Sequence, residues 1–228
     1  MKRYSLAQIR RTQKGRGFWL RLSNEAASRL IYAIQDLHIH PNWFTLASLI
    51  FGVCFGVALV RGHEIAAAIF LNLLYLFDNV DGQWARIKKM SSPFGALFDS
   101  LVDGWNISII VFSMGMYLFE KTGESLYLYV TILFFLLSFL DFALEKNAMQ
   151  EGVGNEGGTS SAISLQQSSS RLRPLIRTVD ALTMYDKWIF FITLGLLFGH
   201  VEWALFYVTF VRLMKYALKL FKLYLRFR

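Results

Sequence analysis

Residues 78–103 read DNVDGQWARIKKMSSPFGALFDSLVD, and both ends of this stretch run into apolar sequence long enough to cross a bilayer. Asp78 and Asp81 lie three residues apart, Asp99 and Asp103 four apart, so each pair projects from one face of a helix. Between the pairs Gly82, Arg86, Lys88, Lys89, Ser92, Pro93 and Gly95 form a tight basic turn with phosphate-binding chemistry. A carboxylate inside a membrane helix costs at least about 2.5–3.5 kcal/mol and marks function. Four close together also repel one another, and three basic side chains at a water-facing turn cannot coordinate all of them. Divalent cations that prefer hard oxygen ligands can, and Mg²⁺ or Mn²⁺ bridges carboxylates to substrate phosphates. Two carboxylate pairs on facing helices suit two ions that clamp a phosphoryl group. A helix C-cap at Asp81-Gly82, or a dipole charge at Asp99, accounts for one aspartate only. An EF-hand is excluded because its alternating oxygen ligands are missing. A divalent-cation channel or transporter stays open as the competing reading.

Working outward, 55% of the 228 residues are hydrophobic and only 18% charged, against about 25% in a soluble domain. The apolar surplus comes in span-length runs, so the chain reads as an all-α, polytopic membrane helix bundle. Cys54, the single cysteine, lies in an apolar run, which leaves no disulfide framework and suits helix packing. The basic N-terminal segment lacks the apolar core of a signal peptide.

In order, residues 1–38 form a basic segment followed by an amphipathic interfacial helix over 22–37, with Leu22, Ala26, Leu30, Ala33, Ile34 and Leu37 on one stripe. Residues 39–228 form the membrane domain, where Asn42 is placed to cap the first span. Six transmembrane helices are predicted at about 43–60, 65–84, 94–119, 126–144, 188–198 and 201–220, with the fifth extended forward through 181–187. The Gly- and Ser-rich stretch within 145–180 reads as a loop. Of the 24 Lys and Arg, 22 fall on one side of this arrangement, leaving Arg61 and Lys121 on the other. The positive-inside rule then puts both termini and the aspartate turn in the cytosol, as expected for a multi-pass protein of a prokaryotic cell membrane. The net charge of +8 is met by topology and anionic lipid, with no need for nucleic acid.

The pattern D78-x-x-D81-G82-x-x-A85-R86, eight further residues, then G95-x-x-x-D99-x-x-x-D103 resembles the CDP-alcohol phosphotransferase signature at all eight of its fixed positions. The PNWFTLAS run at 41–48 is similar to the family's Pro-Asn-x-x-Thr segment. The resemblance implies that Asp78, Asp81 and Asp99 hold two metals, with Asp103 touching the second and acting as general base. It implies that Gly82 admits the nucleotide, that Arg86 contacts the diphosphate and Ser92 the donor, and that Asn42 and Thr45 line the nucleotide's other side. The implied reaction, in phospholipid biosynthesis, moves a substituted phosphate from a CDP-linked lipid such as CDP-diacylglycerol to an alcohol and releases CMP. A homodimer is also implied. Elementary chemistry agrees: metal and arginine neutralise a pyrophosphate, and a carboxylate takes the proton of a high-pKa hydroxyl. A catalytically idle family member serving as a binding subunit is a further alternative.

The acceptor is less legible. If it bears phosphate, as inositol phosphate or glycerol 3-phosphate does, basic side chains converge near Asp103, with Lys146, Lys187 and Arg212 the candidates and Arg171, Arg173 and Arg177 behind them. The run FWLRLSNEAASRLIYAI at 18–34 is weakly similar to family members that handle inositol phosphate. In a second stretch of that group an arginine more often precedes the aspartate; here Tyr185 precedes Asp186.

Overall fold

A computed structural model describes residues 3–13, 18–150 and 185–227, with side chains at 145–150, 185–186 and 222–227 outside the description. All regular structure among the described residues is helical: α1 (Leu6–Arg10), α2 (Phe18–Ile34), α3 (Asn42–Val60), α4 (Glu64–Lys88), α5 (Pro93–Thr122), α6 (Leu126–Gln150), α7 (Tyr185–Leu197) and α8 (Val201–Phe227).

Helix α3 packs against both α4 and α5, and small residues let it approach α5 closely. A Cβ on Gly52 would collide with the Asn106 side chain, and one on Gly56 would lie 2.7 Å from Ser113 Oγ. The main core joins Phe55, Leu59, Leu71, Leu74, Met114 and Leu118 to Ile189, Ile192, Leu205 and Val208 of α7 and α8. A second core sits at the aspartate end, built from Ile9, Ala27, Ile31, Phe44, Val80 and Trp84. Outward faces are apolar too, as at Ile50, Val53 and Val57 of α3 and Ile132, Leu136 and Phe139 of α6, which is the pattern of helices solvated by lipid.

Among the described residues, four helices are long and apolar enough to cross a membrane: α3, α4, α5 and residues Leu126–Leu144 of α6. Six were expected from sequence. In α7 the apolar part is Lys187–Leu197, and its 13 described residues rise only about 20 Å against a core of about 30 Å. Residues 181–184 of its expected extension lie outside the description, as does most of the predicted 145–180 loop. Helix α8 has the length, but Glu202, Arg212, Lys215 and Lys219 dilute its apolar run.

Two local expectations are corrected. Asn42 does not cap α3: Pro41 occupies that position, without any side-chain cap, and Asn42 is already helical. Helix α2 covers 18–34 rather than 22–37; Leu22, Ala26 and Ala33, with Leu37 beyond its end, face outward, while Asn24, Ala27, Ser28, Ile31 and, past the helix, Gln35 are buried. The reason is α4, which presents the buried Gln83 to this face. Ser28 Oγ donates to Gln83 Oε1 at 2.8 Å, and Gln83 Nε2 donates to Asn24 Oδ1 at 3.0 Å. A buried amide must be bonded, so Asn24 and Ser28 of α2 turn inward along with Ala27 and Ile31.

Helix α4 runs four residues past the expected end of its span, so Gly82 and Arg86 are helical and only residues 89–92 form the turn. Lys89, in the left-handed region at φ 56°, ends α4 by returning its N–H to Ala85 and Arg86. Ser92 then caps α5, its Oγ accepting from Gly95 N at 3.0 Å, with Pro93 in the first turn.

Candidate metal and phosphate site

The turn at 89–92 reverses the chain, and with α4 and α5 both packed on α3 it brings three aspartates together. Asp78, Asp99 and Asp103 each offer a carboxylate oxygen within 4.8 Å of the others, and all three side chains are half-buried. Asp81 faces α3 instead, where Thr45 Oγ1 donates to its Oδ2 at 2.7 Å; both residues are buried. Thr45 is held in turn by the helix backbone, and one turn on, Ser48 donates to its carbonyl at 2.7 Å. The expected four-carboxylate set is thus three converging aspartates plus one oriented by α3. The donors fit a hard divalent cation, because carboxylate oxygens are its preferred ligands and three of them already converge.

Arg86 lies one turn beyond Gly82 and folds back over it. A Cβ at position 82 would sit 3.1 Å from Arg86 Nη1, so glycine leaves room for the guanidinium to lie against the helix. Arg86 interacts electrostatically with Asp81 and Asp99, yet no Lys or Arg makes an ion pair with any of the four aspartates among the described residues. Its Nε donates to Thr12 O at 2.9 Å. Across the turn, the backbone of Gly95 is flanked by Ser92 Oγ and Asn42 Oδ1, which would lie 3.1 and 3.5 Å from an added Cβ. Asn42, Ser92 and Gly95 therefore meet at the mouth of the α4–α5 turn.

The matching family is now decisive. The CDP-alcohol phosphatidyltransferase profile fits residues 38–165, more than half of the chain. The chain belongs to this family. Among its relatives, the phosphatidylinositol phosphate synthase of Corynebacterium glutamicum is 40% identical over 70 residues, 29% of this chain and 31% of that protein. The CDP-diacylglycerol–serine O-phosphatidyltransferase of Helicobacter pylori is 32% identical over 95 residues, 40% of each chain. The chain thus spans between about a third and two-fifths of the curated relatives it matches.

Arg212, a candidate acceptor contact of this CDP-alcohol phosphatidyltransferase family member, makes no ion pair with the four aspartates. Arg212 reaches α6: its Nε donates to Ser138 Oγ at 3.0 Å, its Nη2 lies 3.6 Å from Asp141 Oδ2, and its guanidinium lies over the Phe134 ring. Lys219 donates to the same carboxylate, Oδ1, at 2.7 Å. Lys187 is half-buried at the start of α7, and the side chains of Lys146, Arg171, Arg173 and Arg177 lie outside the description. Lys88, next to the motif, turns away from it, donating to Gln35 O at 2.6 Å and covering the Trp84 ring. Sequence reasoning missed Thr12, Gln35 and Asp141, because each bond spans 53 to 78 residues and carries no local pattern.

Proposed function

We propose that the protein is a divalent-metal-dependent CDP-alcohol phosphotransferase of phospholipid synthesis. The observation that carries this is the convergence of Asp78, Asp99 and Asp103 on one point, beside a helical glycine covered by an arginine. Asp78, Asp81, Asp99 and Asp103 would hold Mg²⁺ or Mn²⁺, two ions by family resemblance, supplying charge neutralisation for a pyrophosphate. Thr45 holds Asp81 in one rotamer, which pre-organises that ligand. Arg86 binds the diphosphate of the donor, Gly82 lets the nucleotide approach α4, and Asn42, Thr45 and Ser92 border it. The oxygen of the acceptor alcohol attacks the phosphorus that bears the lipid. Asp103 takes the hydroxyl proton, the bond from that phosphorus to the bridging oxygen breaks, and CMP leaves with that oxygen.

A lipid donor is supported by an apolar groove of about 460 Å³ between α2, α4 and α7, lined by Trp19, Leu22, Ile65, Ile69, Leu73 and Leu76. CDP-diacylglycerol, whose acyl chains need such an apolar surface, is the donor we favour. Inositol phosphate or glycerol 3-phosphate is the acceptor we favour, met by Arg212, Lys187 and Lys146. An acceptor phosphate would share Arg212 with Asp141. We place six spans with both termini and the site in the cytosol of a prokaryotic cell, residues 1–38 on the membrane surface, residues 39–228 as the transferase domain, and a homodimer.

The test is CMP release by the purified protein from CDP-diacylglycerol and Mg²⁺ with a panel of alcohols. Release with one acceptor, lost in Asp103→Asn while CDP binding persists, is the expected result. No CMP with any acceptor, inositol phosphate and glycerol 3-phosphate included, would overturn it.

A further inference from the structure

Away from the aspartates, the short segment at residues 3–13 makes several long-range polar contacts. A capping box starts α1, with Ser5 Oγ accepting from Gln8 N at 3.3 Å and Gln8 Oε1 accepting from Ser5 N at 2.8 Å. One turn is too short to persist by itself, so docking must hold it. Ile9 is fully buried among Ala27, Ile31, Phe44, Val80 and Trp84. Arg10 grips Glu25 with two nitrogens, one at 2.9 Å, and this bond, with help from Arg29, holds the Glu25 carboxyl below its ordinary range. Arg3 meets Asp36 at 2.7 Å, Tyr4 N donates to Gln35 Oε1 at 2.8 Å, and Gln13 Nε2 donates to Ser28 Oγ at 3.0 Å.

These contacts fix where the chain goes after α1. Thr12 doubles back, its N and Oγ1 both donating to Ile9 O at 2.9 and 2.7 Å, which leaves its own carbonyl turned to α4. That carbonyl accepts from Arg86 Nε. A guanidinium is planar, so a bond at Nε orients the whole fork, and here Nη1 and Nη2 lie over Gly82.

We propose that residues 3–13 are a strap that positions Arg86 for the donor diphosphate, with the Thr12 carbonyl as the positioning group and Ile9 and Arg10 as its anchors. The proposal rests on the reading of Arg86 as a diphosphate contact. Without the strap, Arg86 regains rotamers that miss the diphosphate, and donor affinity falls while the carboxylates that carry the chemistry stay in place.

The experiment uses the full-length protein and CDP as the probe, measured by calorimetry in the presence of Mg²⁺, alongside KM and kcat for CDP-diacylglycerol. Ile9→Asp and Arg10→Glu are expected to weaken CDP binding roughly tenfold, the scale of one charge-assisted hydrogen bond, and to raise KM with kcat largely kept. Arg10→Glu sits on an exposed pair and keeps the test open if Ile9→Asp does not fold; adding Glu25→Arg should restore binding. In an Arg86→Ala background neither strap variant should weaken CDP binding further, because the strap acts through that side chain. Wild-type CDP affinity in both strap variants, with Arg86→Ala impaired, overturns the strap alone. Full additivity of strap and Arg86 variants also overturns it. Wild-type affinity in Arg86→Ala overturns the reading of Arg86 on which it rests.

Discussion

Helices α4 and α5 carry acid at both ends. At the end where α4 begins, Glu64 accepts hydrogen bonds from Tyr117 and from Lys121, the latter at 3.0 Å. At the other end Asp78, Asp99 and Asp103 face one another, and no described Lys or Arg comes within the 4.0 Å of an ion pair. Asp141 of α6 behaves like Glu64, with Lys219 at 2.7 Å and Arg212 at 3.6 Å. Among the described residues, Glu64 and Asp141 are thus met by side-chain cations, whereas Asp78, Asp99 and Asp103 make no ion pair and converge as a group that could hold a metal ion. The contrast is the one expected if the cluster holds the proposed metal, since clustered, half-buried charge without a partner is costly.

The largest effects should come from the clustered end. Asp103→Asn is expected to lower kcat by at least about 10²–10⁴-fold, the range of general-base catalysis, measured as CMP release. EDTA should remove activity from the wild type, and added Mg²⁺ or Mn²⁺ should restore it; activity that survives chelation would erase the distinction between the two ends. Next in size, Arg86→Ala should weaken CDP binding by about 1.5–3 kcal/mol in calorimetry, a hydrogen bond to a charged group being lost. Asp141→Asn should act more mildly, shifting KM for a phosphate-bearing acceptor by a few-fold as Arg212 and Lys219 lose their shared partner. Smallest of all, Glu64→Gln should leave kcat unchanged and lower thermal stability by about 0.5–1 kcal/mol, as for a partly exposed pair.

What could be read from sequence follows the same division. The aspartate motif was legible because a spacing of three or four residues fixes a helix face locally. The four strongest spans were legible because apolar length alone decides them. The inward face of α2 was not, because Gln83 of α4, 55 residues from Ser28, draws Asn24 and Ser28 into it. Nor was the helical state of Arg86, since its basic neighbours suggested a turn while Lys89 alone ends the helix. Thr45 was placed beside the nucleotide by resemblance, and its bond to Asp81 adds a role that spacing along the chain cannot reveal. The pairing of Arg212 with Asp141 depends on how α6 and α8 pack, so the acceptor side stayed the least legible part of the site.

The most direct measurement is Mn²⁺ uptake by the purified protein, followed by electron paramagnetic resonance, in the wild type, Glu64→Gln and Asp99→Asn. Saturable binding is expected in the wild type, the same binding in Glu64→Gln, and its loss in Asp99→Asn. Equal uptake by all three proteins, or none by the wild type, would contradict the proposed metal site.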